Sequence, residues 1–204
     1  MARSSKARGK TVRHLGINIF GNPKYDRLLK KKPYGPGEPK KGRIRETEYA
    51  RQLKEKQKVK FAYGLSERQF RNLFYKAKVL KGVTGHNMLI LLERRLDNVV
   101  YRMGMAASRR QARQLVGHGH IHLNGRKVTI PSALVRPGDK ISVKSKKGSE
   151  MLMRRLVSEN SSRQIAPWIE VSQDDLTGTV AMLPTRDMIP TIAEEQLIVE
   201  FYSK

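Results

Sequence analysis

The apolar period of this chain changes sharply near residue 117. Before it, Leu89, Leu92, Leu96, Val99, Val100 and Met103 recur at helical spacing in "HNMLILLERRLDNVVYRMG", and Gly104 offers a stop. Ser108 followed by Gln111 is a capping-box pattern, and it opens a short helix, "RRQARQLVG", ending at Gly117. Then "HIHL" leads into Asn124-Gly125, a strong hairpin signal, and on to "RKVTI". A second turn, "RPGD", precedes the alternating "KISVK". Helices that hand over to a hairpin and a third strand set the fold class as α+β. The expected unit is a helix pair packed on a small, mainly antiparallel sheet.

The flanks extend this plan. "ETEYARQLKEKQKVKFAYG" predicts a helix stopping at Gly64, and Ser66 with Gln69 is another capping box. In the helix it opens, Leu65, Phe70, Leu73, Phe74, Ala77 and Leu80 give one apolar stripe. Residues 149–163 predict a helix with Leu152, Leu156 and Val157 inward; "WIEV" and "TVAML" predict a late strand pair. Thr191 with Glu194 caps a last segment, "IAEEQLIVEFYSK", read as helix, although "IVEFY" also alternates like a strand. Residues 1–45 read as a basic, extended N-terminal arm, because "KKKPYGPGEPKKGR" stacks Pro, Gly and Lys. The expected organisation is an arm over 1–45, a helical domain over 46–91 completed by 191–204, and a mixed helix–sheet module with a C-terminal strand extension over 92–190.

Charge points to the partner. The 204 residues carry 42 Lys+Arg against 18 Asp+Glu, net +24. Such a chain repels itself unless a polyanion neutralises it, and nucleic acid repays neutralisation by counterion release. Residues 1–45 hold 14 Lys/Arg and 2 Asp/Glu, whereas residues 158–204 hold 3 and 8. The acidic end therefore suits a protein neighbour or an internal contact. No apolar run is long enough to span a membrane, and no amphipathic anchor is evident. "MARSSKARGKTVRHLG" is basic without an apolar stretch, so a secretory signal is not expected. There are no cysteines, which excludes disulfides, cysteine-ligated zinc and cysteine nucleophiles. A cytoplasmic location is the expectation.

The helix opened by Ser108 presents Arg109 and Arg110 first, with Arg113 and Gln114 a turn later on the same edge. Its N-terminal amides suit phosphate oxygens. Asn124, Arg126 and Lys127 form a tight basic tip. His118, His120 and His122 raise the question of a metal. His118 lies past the helix stop, so only His120 and His122 share a strand face, and no carboxylate partner is near in sequence. No metal or cofactor is expected; His118 and His120 are read as RNA contacts. Lys54, Lys58, Arg68, Arg71 and Asn72 on the helical domain join the candidate surface, as do Arg3, Lys6, Arg8, Lys10, Arg13, Lys30, Lys31 and Lys32 of the arm. "SQDDLTG" reads as a turn rather than a carboxylate site, and no nucleophile–base pairing is recognisable, so the chain is not expected to be an enzyme. DNA packaging would call for wedge residues, repeats or an obligate dimer, and none is visible.

"LERRLDNVVYRMGMAASRRQARQLVGHGHIHLNGRKVTIPS", residues 92–132, resembles the signature of the small-subunit ribosomal protein S-four family. "EYARQLKEKQKVKFAYGLSERQFRN" resembles that family's helical domain, and the terminal "EEQLIVEFYSK" its C-terminus. The resemblance implies direct binding to small-subunit rRNA at a multi-helix junction, early in subunit assembly. It also implies a place beside neighbouring small-subunit proteins, near the channel by which mRNA enters, with a contribution to translational accuracy. Some members repress their own mRNA. The family's recurring positions map to Arg94, Arg95, Asp97, Asn98, Arg102, Ser108, Arg109, Arg113, Gln114, His118, Asn124 and Gly125. Leu96, Val99, Leu115, Val116, Ile121 and Leu123 match its apolar positions. Many bacterial relatives carry an N-terminal cysteine zinc knot, which this cysteine-free chain lacks.

Overall fold

The computed structural model describes residues 7–37, 46–161, 163–172, 174–190 and 193–203. In chain order the helices are α1 (Arg8–Leu15), α2 (Pro23–Lys31), α3 (Glu48–Ala62), α4 (Glu67–Val79), α5 (Thr84–Glu93), α6 (Leu96–Arg102), α7 (Arg109–Gly117), α8 (Lys147–Glu159) and α9 (Glu195–Ser203). The strands are β1 (Ile121–Leu123), β2 (Arg126–Lys127), β3 (Lys140–Val143), β4 (Ile169–Ser172) and β5 (Thr177–Val180). The described residues fall into two compact units, one within 7–85 and 193–203 and the other within 86–190.

In the first unit the extended arm gives way to helix over 8–15 and 23–31. Lys and Arg are good helix formers, so charge alone does not keep backbone extended. Val12, Leu15 and Ile19 are buried, and the Phe20 and Tyr25 rings meet at 5.5 Å. Asn22 caps α2 by accepting the Lys24 amide at 2.9 Å, and Pro23 takes the first helical position. Beyond Lys32 the chain is exposed and non-helical through Gly37, as its Pro/Gly content predicts. Arg3 and Lys6 lie outside the described residues.

Thr47 caps α3, and the Ser66–Gln69 capping box is formed in both directions. Phe70, Phe74 and Ala77 of α4 are buried; Leu80, expected on that stripe, is exposed because the helix ends at Val79 and the chain turns extended there. The terminal segment is helical rather than strand-like. It docks through Ile198, through stacking of Phe74 on Tyr202 at 4.7 Å, and through Tyr49 against Phe201 at 5.7 Å. Thr191, the expected cap, lies outside the described residues.

In the second unit the long stripe from His86 to Met103 is not one helix. It breaks between α5 and α6, where Arg95 is extended and bridges Leu134. The Leu96 amide donates to Ala133 O at 2.8 Å, Asp97 N to Pro131 O at 3.1 Å, and Val135 N to Arg94 O at 2.9 Å. A segment 34 to 41 residues away satisfies the groups that a continuous helix would have paired internally, and periodicity cannot reveal such a partner. The sheet is antiparallel in the order β2-β1-β3-β5-β4. Asn124 (φ 51°) and Gly125 (φ 76°) make the expected turn between β1 and β2, with Leu123 opposite Arg126. One apolar core joins Leu96, Val99, Leu115, Val116, Ile121, Ile141, Met153 and Trp168, with Leu123 packed at its edge. On α8 it is Ser149, Met153 and Leu156 that turn inward; Leu152, expected there, is 38 % exposed. The helix begins two residues earlier than read, and the core selects the stripe through Met153.

Candidate nucleic-acid interface

α7 begins where Ser108 Oγ accepts the Gln111 amide at 3.3 Å. The Gln111 side chain accepts from the Ala107 amide at 2.7 Å rather than from Ser108, so the box reaches back one residue further than its pattern implies. Arg110 and Gln114 on this helix are exposed, as is His118 just past its end. Across the hairpin, Arg126 and Lys127 are exposed on β2. Gly119 has φ +73°, and a Cβ there would collide with Lys127 Cε, so the lysine stem lies directly over the glycine backbone. Lys127 is thereby held beside the turn that carries His118.

Several of the arginines expected to meet phosphate are committed to acids of the protein. Glu93, almost fully buried, accepts Arg102 Nε at 2.8 Å and Arg102 Nη2 at 2.7 Å, with Asn98 Nδ2 at 2.7 Å. Arg109 donates to Asn98 Oδ1 at 2.7 Å, approaches Glu93 at 3.9 Å and lies over the Tyr101 ring at 4.7 Å. Arg95 is buried and makes a two-pronged pair with Asp97, at 3.1 and 2.9 Å. Arg94 donates to Val135 O at 2.9 Å. Arg95 is therefore buried on Asp97, and Arg102 and Arg109, though partly exposed, are engaged by groups of the protein. Arg95 meets its acid locally, two residues on, whereas Glu93 reaches Arg102 and Arg109 only when α5, α6 and α7 fold together. Asn124 is likewise structural. Its amide donates to Asp139 Oδ1 and its carbonyl accepts the Lys140 amide, both at 2.8 Å, which locks the hairpin to the "RPGD" turn.

Arg113 is half-buried. Burial draws its guanidinium below the ordinary arginine value, with Asp97 opposing the shift and Arg95 adding to it. His120 precedes β1, and its Nδ1 lies 3.1 Å from Ser149 Oγ. Burial, then His118 and Lys144, lower its pKa. His122, inside the strand, stands opposite Lys127.

In the first unit Lys54 pairs with Glu46 at 3.5 Å, and Lys58 with Glu55. Arg68, Arg71 and Asn72 are exposed on α4, with Arg71 5.7 Å from the Tyr75 ring. Lys10, Lys30, Lys31 and Lys32 are exposed; Arg8 lies over Phe20 at 5.1 Å, and Arg13 bonds the carbonyls of Tyr34 and Gly35.

Two contributions escape sequence reading. Lys144, Lys146 and Lys147 follow β3, and the Lys144 amide donates to His120 O at 2.8 Å, so this run adjoins the hairpin face; its density in "KSKKGS" was the available signal. Arg163 donates to Ala106 O and Ala107 O at 2.7 and 3.1 Å and lies over Tyr101 at 4.6 Å, bracing the loop into α7. Nothing in its local sequence marks that role. In "SQDDLTG", Ser172 Oγ donates to Asp175 Oδ2 at 3.0 Å in the link between β4 and β5, as a turn requires.

Residues 3–93 match the family model described as ribosomal protein S4/S9 N-terminal domain, and residues 94–141 match the S4 domain. Over 206 residues the chain is 55 % identical to the small ribosomal subunit protein uS4 of Borreliella burgdorferi (strain ZS7), covering 100 % of this chain and 99 % of that protein. Against the protein of the same name from Borrelia hermsii (strain HS1 / DAH) identity is 56 %, with the same coverage. Against that of Treponema denticola it is 50 % over 199 residues, 97 % of this chain and 96 % of the relative.

Proposed function

The chain belongs to the small ribosomal subunit protein uS4 family, and from that premise we propose that it is a structural, non-enzymatic constituent of the small ribosomal subunit in the bacterial cytoplasm, bound directly to the subunit's rRNA. The observation that carries the reading is the sorting of charge in the second unit. Glu93 and Asp97 are buried on arginines, while Arg110, Gln114, His118, Arg126 and Lys127 face outward on α7 and the hairpin. Such a surface attracts phosphate, and its rigid helix–hairpin shape suits folded RNA read through backbone and 2′-hydroxyls. Ser108, Arg113 and His120 support this face from behind. Arg68, Arg71, Asn72 and the exposed lysines of α1, α2 and the following turn extend RNA contact to the first unit.

The finer reading is that binding comes early and nucleates subunit assembly. It places the protein by neighbouring small-subunit proteins and the channel where mRNA enters, where it contributes to translational accuracy; repression of its own mRNA belongs to the same surface. The test is binding of the full chain to small-subunit rRNA, tRNA and duplex DNA across a salt series. Tight binding to the rRNA that survives competitor supports the reading. Equal affinity for all three would reduce the interaction to charge alone.

A further inference from the structure

α4 buries one side and exposes the other. Phe70, Phe74 and Ala77 turn inward, and Phe74 stacks on Tyr202, so the helix is fixed from behind. On the outer side Arg68, Asn72, Tyr75 and Val79 follow at spacings of four, three and four, which sets them on one ridge about 16 Å long. Tyr75 is 43 % exposed and Val79 86 %. Arg71 and Lys78, two turns apart, border the ridge on one flank, and Lys76 borders it on the other; all three are exposed. The Arg71 guanidinium lies 5.7 Å from the centre of the Tyr75 ring. Glu67, the acid of this helix, is held by Lys56 and Lys60 of α3 and by Tyr202 of α9. Lys76 and Lys78 make no ion pair among the described residues.

We infer, on the premise of the rRNA-binding reading, that the outer face of α4 docks in the minor groove of an RNA helix. Tyr75 and Val79 lie against riboses, and Arg71, Lys76 and Lys78 reach the phosphates that border the groove. That groove is wide and shallow and displays 2′-hydroxyls and base edges. A helix is convex and roughly 10–12 Å across with its side chains, so cations on both flanks meet both strands. The Asn72 amide and the Tyr75 hydroxyl each donate and accept, as a 2′-hydroxyl does. Charge alone gives no reason for an exposed valine on the ridge, whereas the C–H face of a ribose covers it. The apolar groove of a protein partner would cover Val79 but leave Arg68, Asn72 and the flanking cations without counterparts.

The test uses the full chain and small-subunit rRNA. The chain has no cysteine, so Val79→Cys offers one tether for an iron chelate that cuts nearby riboses with hydroxyl radicals. Paired cuts on both strands of one RNA helix, offset in the 3′ direction as a source in the minor groove requires, are expected. Cuts confined to an unpaired loop, or none while the same tether at Arg126→Cys cuts, would overturn the docking and leave rRNA binding intact. So would a Val79→Cys crosslink to a protein in place of RNA cuts when the chain is assembled into the small subunit. Independently of the tether, Lys76→Gln and Lys78→Gln should each lower the salt slope by about 0.7–0.9. Val79→Glu, which sets a like charge among phosphates, should weaken rRNA binding at least about tenfold. Unchanged slope and affinity in all three variants would also overturn the docking. Failure of the unmodified protein to prefer rRNA over tRNA and duplex DNA would instead remove the underlying reading.

Discussion

Glu93 and Glu67 each hold two basic side chains, one in each unit, but their surroundings differ. The Glu93 side chain is 1 % exposed and binds Arg102 and Arg109 together with Asn98. The Glu67 side chain is 48 % exposed and accepts Lys56 at 2.7 Å, Lys60 at 2.8 Å and the Tyr202 hydroxyl at 3.0 Å. Lys56 is itself buried under the Phe201 ring, at 4.7 Å. Burial raises the Glu67 carboxyl, but hydrogen bonds from Lys56, Lys60 and Tyr202 outweigh it and bring the pKa to about 2. The first cluster is a closed joint between α5, α6 and α7 that ties two arginines to one buried carboxylate. The second is a half-wet latch holding α9 to α3 and α4. A basic protein thus handles its cations in two ways, and sequence counting alone treats them as one population.

Breaking the closed joint should have the largest effect. Glu93→Gln removes the buried anion that Arg102 and Arg109 share, at a cost of about 3–5 kcal/mol in denaturant unfolding. A loss below about 1 kcal/mol would show that the cluster contributes little beyond what an exposed pair does. Gly119→Ala comes next. It combines a left-handed backbone with displacement of the Lys127 stem, so it should cost at least about 1 kcal/mol and weaken RNA binding. Tyr202→Phe, which opens one bond of the latch, should cost about 1 kcal/mol.

The latch should also respond to pH. Glu67 has a folded pKa of about 2 against an ordinary 4.5. Its contribution is therefore complete above the ordinary value and is lost as pH falls from about 4.5 towards 2. Glu67→Gln should flatten stability over that window; an unchanged pH profile would mean that other carboxylates carry it. The smallest stability effects belong to Arg110→Ala, Arg126→Ala and Lys127→Ala, each within about 0.5 kcal/mol. Their signature is on RNA binding, where each should lower the salt slope by about 0.7–0.9. Arg109→Ala should do the reverse, destabilising the fold while changing the slope little.

The sequence by itself determined the elements whose signals are local. Ser66 and Ser108 accept amides three residues on, Gly117 closes α7, and Asn124-Gly125 folds back on itself; each interaction spans only a few residues of chain. It also determined the α+β class, which follows from the order of such signals, and the family, which the resemblance of residues 92–132 already implied. Tertiary structure decided the rest. The α5–α6 break exists because residues 131–135 offer backbone partners, and α1 is helical although its charge suggested an open arm, because Val12 and Leu15 find a core. Most of all, it decided how deeply each arginine is held. Arg102 and Arg110 look equivalent in the sequence, yet Arg102 is partly buried with two hydrogen bonds to Glu93 while Arg110 is exposed. A charge is visible in one residue, whereas its neutralisation depends on a second residue brought near by folding.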